Sequence, residues 1–451
     1  MVQSRPLCVR LVVSCSQLER ARKNRGNHGS VRLLVLFLAW IFLPFPGLAP
    51  ALAGVAAPVN IAGPQRLLIV AVRFPGIQPA LDLAQIRAKV ERVKRYVEES
   101  AYGKMKLETD MVGWYELPAP LDEYTVSPYN YKVDRARVRR LLVDALSAAS
   151  RDADLDKYRV VWIVVGVRTA PGEGYGMIAY AANPGMLSGV RFGRVRMETI
   201  ELQGGRPFSG AAIVSADNAH MGHAAHDLLH ALGGVQDGQR VVPDLYDYDR
   251  QSDPRILHDS PAPFAIHAGP WDIMSQHFIA RDKAPPPPSS FTRLQLGWID
   301  AGQVVTVGRG DTREITLRPL ASGGSPLVVR VPLAPQRFLL VENRQKIRGD
   351  AVLPASGLLV LEVDLTREEG SAIVKVASAN PGSNERDRAP FVPGAGARRY
   401  YHNEEAGVVI APLAMEASGA LRLVVTVPDR LPEFLGAGAQ KGRGNDQKMS
   451  P

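Results

Sequence analysis

The sequence predicts an α+β protein, in which an α/β layer comes first and an all-β, sandwich-like region follows. Strand-like and helix-like segments alternate in the first part, at residues 66–74, 81–100, 106–117, 133–149 and 160–167. This alternation is typical of an α/β layer. Between about residues 301 and 428, short apolar runs separated by turn residues replace the helical patterns. Such a succession of short strands is typical of a sandwich or a barrel.

Each element of the α/β part has its own pattern. RLLIVAVRF at 66–74 is a short, continuous apolar run that ends before Pro75 and Gly76, which is typical of a buried strand. The segment 81–100 combines helical spacing of apolar residues with many charges, and this predicts an amphipathic surface helix. KLETDMVGWYEL at 106–117 alternates as a strand does, and VVWIVVGV at 160–167 predicts a second buried strand.

The composition of the 451-residue chain is that of a globular protein, with 46% hydrophobic and 22% charged residues. Its formal charge of +9 is concentrated in residues 1–53, which hold seven basic residues and one acid, Glu19. The rest of the chain has 47 basic and 44 acidic residues. A chain so close to neutral gives no reason to expect nucleic acid as a partner.

The first 53 residues have the pattern of a secretory signal. A long basic region precedes the apolar run Leu33–Phe45, and the segment ends in Ala51-Leu52-Ala53. The run is short for a membrane span, although an uncleaved anchor remains the alternative. We therefore expect a secreted or periplasmic protein with no stable membrane insertion after cleavage. Both cysteines, Cys8 and Cys15, precede the cleavage point, so a cysteine nucleophile and a disulfide are excluded from the exported chain.

Four of the nine histidines fall within eleven residues, in the segment DNAHMGHAAHDLLHALGG at 217–234. The segment predicts a helix. His226 and His230 are four residues apart, so both imidazoles project from one face, where two nitrogens can bind one zinc ion. Asp227 is placed to reach a water at that metal. A histidine-rich helix whose rings are merely packed or solvated is the alternative.

The ends of this helix and its other side chains follow from the same pattern. Asp217 or Asn218 is the predicted cap, and Gly233-Gly234 is the predicted stop. His220 and His223 are interpreted as capping, packed or solvated residues, because three ligands in a row along one helix fit a tetrahedral ion poorly. Leu228 and Leu232 lie on a different stripe, which we expect to pack on the core.

An ordered series of segments resembles one family, the secreted bacterial zinc metallopeptidases of the immune inhibitor A family, within the metzincin-like group. The resemblance spans about residues 64–415. The matching segments are ESAYGKMKLETDMVGWYELP (99–118), HDLLHALGG (226–234), PDLYDYD (243–249), GPWDIMSQ (269–276), SSFTRLQLGWID (289–300), FLLVENRQ (338–345) and LPASGLLVLEVD (353–364).

The resemblance implies a zincin-like or metzincin-like α/β catalytic domain at 54–300 and a β-rich domain at 301–430. The segment 431–451, rich in Gly, Lys, Asn and Gln, is predicted to be a disordered tail. The implied activity is zinc-dependent endopeptidase cleavage of a protein or peptide substrate. Met274 would form the Met-turn beneath the metal.

The chain departs from the family at the residue that serves as general base. The family has Glu directly after the first zinc histidine, whereas this chain has Asp227. The Asp side chain is one methylene shorter, about 1.5 Å, and a misplacement of about 1 Å can cost roughly 100-fold in rate. Asp227 remains the expected catalytic base. The alternative is a pseudopeptidase that acts as an exported binding module.

A second departure affects the third zinc ligand, because the insertion GVQDGQRVV at 234–242 separates the helix from the Pro-Asp of the family. Alignment through PDLYDYD favours Asp244, and Asp237 is the nearer alternative. A distal histidine could also complete the site, and the candidates are His258, His267 and His277.

Three further interpretations concern the loop that contains Asp244 and the β-rich part. Asp244 and Asp247 could belong to an acidic surface loop that binds structural Ca²⁺ through oxygens. Tyr246 or Tyr248 could donate a hydrogen bond to substrate. A structural or carbohydrate-binding surface protein is a third interpretation, which the few aromatic residues of the β-rich part disfavour.

Overall fold

The structure is a computed structural model, and the residues that it describes form one compact unit. It describes residues 55–124, 134–168, 179–183 (backbone only), 194–248, 267–277, 279, 282–382, 386–394 and 396–435. The predicted signal segment, His258 and the chain after Leu435 lie outside the described residues. The fold is mixed α and β, with several sheets.

The first part contains nine strands and four helices among the described residues. The strands are β1 (Gly63–Arg73), β2 (Met105–Glu116), β3 (Val160–Val165), β4 (Ala179–Asn183), β5 (Ile200–Glu201), β6 (Pro207–Phe208), β7 (Ala211–Ala216), β8 (Val235–Gln236) and β9 (Gln239–Arg240). The helices are α1 (Leu83–Ser100), α2 (Arg135–Ala149), α3 (Met221–Gly233) and α4 (Ser290–Gln295). The predicted strands and helices of the α/β layer are confirmed, with bounds that differ by at most three residues.

Five of these strands form the main sheet, in the order β2-β1-β3-β7-β4. The first four are parallel, and β4 is antiparallel to β7. Helices cover both faces, because Leu67, Ile69 and Ala71 of β1 pack in one core cluster with α1 and α3. The alternate residues, Leu68 and Val70, pack with α2 on the opposite face. Burial on both faces explains why β1 is a continuous apolar run.

Aspartate side chains cap the N-termini of α1 and α2. Asp82 caps α1 in a capping box with Gln85, in which each side chain accepts the other residue's backbone N–H. Asp134 caps α2 by accepting the N–H groups of Ala136 and Arg137. These caps satisfy backbone donors that a helix leaves without an internal partner.

The second part forms two packed sheets, as predicted. Its strands are β10 (Val304–Thr306), β11 (Arg313–Leu317), β12 (Val328–Ala334), β13 (Arg337–Arg344), β14 (Gly357–Asp364), β15 (Val374–Ala377), β16 (Tyr401–Asn403), β17 (Val408–Met415) and β18 (Leu421–Thr426). One sheet has the order β10-β12-β13-β14-β15, and the other has the order β11-β18-β17-β16. Leu339, Val341 and Val360 pack between the two sheets with Ile410 and Leu423.

The first of these sheets also packs against the α/β part. Leu340, Leu359 and Leu361, on its other face, belong to the same core cluster as α1 and α3. This apolar core continues across the predicted domain boundary near residue 300. The boundary stays a prediction. Burial on both faces explains the long apolar runs in β13 and β14.

Charged side chains also cross this boundary. Arg344 is fully buried and donates to both carboxylate oxygens of Asp350, to Glu342 Oε1 at 2.8 Å and to the Trp271 carbonyl at 3.0 Å. Glu342 Oε2 accepts the backbone N–H of Ser290 at 2.7 Å. The end of β13 is therefore tied by hydrogen bonds to the start of α4 and to the segment before Met274.

Ordered structure continues into the segment that the sequence predicts to be disordered. Leu431 is buried against β17 and β18, and Pro432–Leu435 forms a short helix, α5. The rest of that segment lies outside the described residues. Among the described residues, none of the helices is both long and apolar enough to cross a bilayer.

Candidate metal centre

Helix α3 begins later than the sequence pattern predicts. The prediction of Asp217 or Asn218 as its cap is wrong, because His220 is the N-cap and its Nδ1 accepts the Gly222 N–H at 2.9 Å. Asp217 instead accepts the Ala80 N–H, so its carboxylate holds the turn after β7. The predicted stop is correct, since α3 ends at Gly233 and Gly234 has a φ of 72°.

The helix is buried on nearly all sides. Leu228 and Leu232 pack in the core cluster, as expected. The two histidines four residues apart, His226 and His230, are each only 2% exposed. At the start of the helix, a Cβ added to Gly222 would lie 1.7 Å from the carbonyl oxygen of His277. A glycine is therefore required where the segment after Met274 crosses α3.

Three side chains converge at the end of this helix. His226 Nε2 lies 3.0 Å from Asp244 Oδ1, and His230 Nε2 lies 3.1 Å from the same oxygen. The two Nε2 atoms are 3.0 Å apart. Ligands 2.0–2.1 Å from a tetrahedral zinc stand about 3.3 Å apart, so the triangle is close to the size of a zinc site. Among the described residues, this group could hold a metal ion.

Backbone carbonyls set which nitrogen of each histidine faces the centre. His226 Nδ1 is 3.1 Å from the Ile273 carbonyl, and His230 Nδ1 is 2.6 Å from the Val242 carbonyl. A carbonyl only accepts, so each Nδ1 carries a proton and each neutral ring turns an Nε2 lone pair inward. Lone pairs of two nitrogens and a carboxylate cannot face one another at 3.0 Å unless a proton or a cation lies between them. The donor set therefore fits a metal ion.

The pKa values of these groups describe the metal-free alternative, in which a proton takes that place. Burial, followed by the charge of Arg240, lowers the pKa of His230 to about 4, so His230 is neutral at pH 7. Burial also acts to lower the pKa of His226, but the hydrogen bond and the charge of Asp244 outweigh it and raise that pKa. Burial acts to raise the pKa of Asp244, yet the adjacent histidines and Arg240 hold it well below its usual range.

Asp244 is held by three neighbours. Its Oδ2 accepts from Arg240 Nη1 at 3.0 Å and from the Tyr248 hydroxyl at 2.7 Å. Its backbone N–H donates to Glu369 Oε1 at 2.9 Å, and Arg240 donates to the same oxygen at 2.7 Å. Glu369 lies in the loop between β14 and β15, so the β-rich part supplies a residue that supports the candidate metal ligand.

The insertion after α3 explains why Asp244 rather than Asp237 completes the group. Strands β8 and β9 form a hairpin whose turn is Asp237-Gly238, with φ values of 50° and 77°. Positive φ at both positions is typical of a two-residue hairpin turn. The turn leaves Asp237 exposed and returns the chain, so that Arg240 and Asp244 face α3.

Met274 is fully buried, and the backbone around it contacts both sides of the candidate centre. The preceding carbonyl holds His226, and the Met274 carbonyl accepts the N–H of Leu245, the residue after Asp244. Asp272 holds the turn, with Oδ1 accepting the Met274 N–H at 2.8 Å. Its Oδ2 accepts from the Ser289 N–H, the Ser289 hydroxyl and the Thr292 hydroxyl.

Among the described candidates, His277, His267 and Asp227 are not members of the group. His277 stacks on His226 with ring centroids 4.1 Å apart, and its ring lies 5.0 Å from that of His223. His267 Nε2 is 3.3 Å from an oxygen of Asp247. Asp227 is buried beside His226, and its charge contributes to the raised pKa of that histidine.

Three residues of this region were not predicted from the sequence: Arg240, Asp272 and Glu369. Asp272 had a detectable signal, because an acid in an apolar segment needs donors and the sequence Ser289-Ser290-Phe291-Thr292 supplies them. Arg240 and Glu369 had no local signal, since they meet Asp244 only through the hairpin and the β14–β15 loop.

No model of a known protein family matches the chain. A search of curated proteins likewise finds no significantly similar sequence.

Proposed function

We propose that the protein is a zinc-dependent endopeptidase with a metzincin-like catalytic domain, whose zinc ligands are His226, His230 and Asp244. The observation that carries the proposal is the triangle of two imidazole nitrogens and one carboxylate oxygen, 3.0–3.1 Å on a side. Three protein ligands leave a fourth position open, which is typical of catalytic rather than structural zinc. The order of the zinc helix, the Asp244 loop and the Met274 turn supports the same proposal.

In the proposed reaction, the metal ligands, Asp227 and two backbone carbonyls have different roles. Zinc held by these three ligands would lower the pKa of a bound water and would polarise a peptide carbonyl. Asp227 accepts a proton from the attacking water at a carboxylate oxygen and delivers it to the leaving nitrogen. The Ile273 and Val242 carbonyls keep both ligand rings in one orientation. The predicted signal segment supports the proposal that this reaction takes place in the periplasm or outside the cell.

The first test is metal-dependent cleavage. We expect the chain from Gly54 onward to bind one zinc ion and to cleave casein, and 1,10-phenanthroline to abolish the cleavage. His226→Ala is expected to lose both zinc and cleavage, while His223→Ala, on the same helix but outside the group, keeps both. Folded protein that binds no zinc, as measured by elemental analysis, would contradict the proposal.

The second candidate function is a zinc-loaded binding module without peptidase activity, and the one observation in its favour is Asp227. Asp227→Asn is expected to lower kcat on casein by at least 100-fold without loss of zinc, because the base is removed and the ligands stay. Glu198→Gln, at a carboxylate that pairs with Arg139 of α2 and is not a member of the group, is the control. If the native chain is inactive and Asp227→Glu creates activity, the binding module is the correct function.

A further inference from the structure

The candidate metal centre is almost closed to solvent. His226 and His230 are each 2% exposed, and Asp244 is 4% exposed. Cleavage at a metal requires the carbonyl of the substrate to reach that metal, and a polypeptide occupies far more space than a water molecule. Part of the protein around the group must therefore move before a protein substrate can enter.

Several neighbours of the group hold the ligands directly. The Ile273 and Val242 carbonyls hold the two histidine rings at their Nδ1 atoms. Arg240 and Tyr248 hold the Oδ2 atom of Asp244, the oxygen that faces away from the histidines. Each of these groups orients a ligand, so its displacement would disturb the ligands themselves. Access to the centre is therefore expected from another side.

Two further aromatic rings lie beside His226 among the described residues. His277 stacks on His226 with ring centroids 4.1 Å apart and an angle of 15° between the rings. The ring of Tyr246 lies 6.2 Å from that of His226 and 5.8 Å from that of His277. Tyr246 is only 7% exposed, whereas His277 is partly exposed. His277 is therefore the ring of the two that borders solvent.

The backbone of His277 is fixed, while its ring is held weakly. The His277 carbonyl packs against Gly222, where an added Cβ would lie 1.7 Å from the carbonyl oxygen. The Nδ1 atom of the ring is buried and has no hydrogen-bond partner among the described residues. A buried polar atom without a partner destabilises this position of the ring, and contact with water satisfies it. The ring can turn about its side-chain bonds while the backbone stays in place.

Tyr248 differs from His277 in how firmly it is held. Its hydroxyl donates to Asp244 Oδ2 at 2.7 Å, and its backbone N–H donates to the Gly370 carbonyl at 3.2 Å. The Tyr248 ring packs so closely on Gly370 that an added Cβ would lie 2.3 Å from two ring carbons. Movement of Tyr248 would break two hydrogen bonds and release Asp244. Of these two rings, His277 moves at the lower cost in free energy.

We propose that the side chain of His277 is an autoinhibitory gate of the candidate metal centre. Stacked on His226, the ring keeps a polypeptide out, and turned into water it opens a path to the ligands. The proposal rests on the proposed function for its link to cleavage. Because both cysteines precede residue 54, the chain from Gly54 onward has no thiol that could block the metal instead.

The test measures how fast the metal-free chain from Gly54 onward takes up Co²⁺, followed by the visible absorption of the bound ion. His277→Ala is expected to raise the rate of uptake about tenfold, as for an open state that holds about 10% of the native chain. With zinc bound, the same variant is expected to cleave casein faster by a similar factor.

Two further variants serve as controls. His277→Phe keeps a flat ring of similar size and is expected to take up Co²⁺ at the native rate. His402→Ala removes an exposed histidine of β16 and is expected to change neither rate. If His277→Ala loses its native near-UV circular dichroism spectrum, His277→Gln, which removes the ring with less loss of volume, takes its place.

The outcomes separate the gate from the peptidase. Equal rates of Co²⁺ uptake in the native chain and in His277→Ala overturn the gate, as does fast uptake in His277→Phe. Slower cleavage with weaker metal binding in His277→Ala would show that the ring supports His226, and this also overturns the gate. If His277→Ala takes up Co²⁺ faster but no variant cleaves casein, the peptidase proposal fails and the gate stands. If no variant binds Co²⁺, the metal centre and the gate both fail.

Discussion

At the scale of single residues, the candidate centre depends on which atom of each side chain is already engaged. The Nδ1 atoms of His226 and His230 are held by backbone carbonyls, so their Nε2 atoms face Asp244. One oxygen of Asp244 faces the histidines, and the other accepts from Arg240 and Tyr248. Partners of this kind orient metal ligands, and their loss typically costs 10–100-fold in metal affinity.

Glu369 is the most distant of these partners along the chain. Glu369→Gln removes the charge opposite Arg240 and weakens the acceptor of the Asp244 N–H. We expect zinc affinity to fall by about 10–100-fold, measured by competition with a chromophoric chelator. Glu368→Gln changes the exposed neighbouring acid and is expected to leave the affinity unchanged. Equal affinities for the two variants would show that Glu369 does not position the ligand.

Lys89 predicts a pH dependence of stability. Burial, opposed by Asp217, lowers its pKa from 10.5 to about 8 in the folded protein. Between pH 8 and 10.5 the unfolded chain binds the extra proton, so the free energy of unfolding rises with pH in this window. Relative to Lys89→Met, the native chain is expected to gain stability from pH 8 to pH 10.5 in urea denaturation. Lys94→Met is the control, and a pH-independent difference would contradict the assignment.

At the scale of elements, the sequence predicted the strands and helices of the α/β layer because their signals are local. Apolar periodicity marks β1 and α1. The start of α3 was mispredicted because a histidine ring took the role of the cap. Capping was one of three roles that the sequence left open for His220, since histidine is not among the usual capping residues, and the hydrogen bond from the Gly222 N–H to its Nδ1 shows that it is the cap.

At Gly222, α3 is in close contact with the segment after Met274. Gly222→Ala would place a methyl group 1.7 Å from the His277 carbonyl oxygen, so one of the two elements must move. We expect a loss of about 1–3 kcal/mol in the free energy of unfolding, as for overpacked interiors. Gly302→Ala, where nothing lies within 4 Å of the new Cβ, is the control. Denaturation curves that coincide for the two variants would show that the His277 backbone moves aside at little cost in free energy.

At the scale of the whole molecule, the α/β part and the β-rich part share one apolar core and are joined by buried polar contacts. Leu340 and Leu361 join the cluster of α1 and α3, while Arg344 joins β13 to Asp350 and to the Trp271 carbonyl. The loop after β14 then brings Glu369 to Asp244. The β-rich part thereby contributes to the candidate metal centre as well as to stability.

Arg344→Met tests this connection. The substitution leaves the carboxylates of Glu342 and Asp350 buried without their common cation. Loss of one partner from a buried ion pair typically costs about 3–5 kcal/mol. We expect a loss of that size in thermal or chemical denaturation, whereas Lys346→Met, at an exposed position nearby, is expected to change stability by less than about 0.5 kcal/mol. A small effect at Arg344 would show that Glu342 and Asp350 find other donors.

The sequence by itself determined the order of the elements and the paired histidines, because helical periodicity and the spacing of four residues are local properties of the chain. It restricted the third member of the candidate centre to a few residues. Only the tertiary structure brought Asp244 to His226 and His230, since the choice depends on the β8–β9 hairpin and on Glu369. Contacts between residues so far apart leave no local pattern, and packing alone decides them.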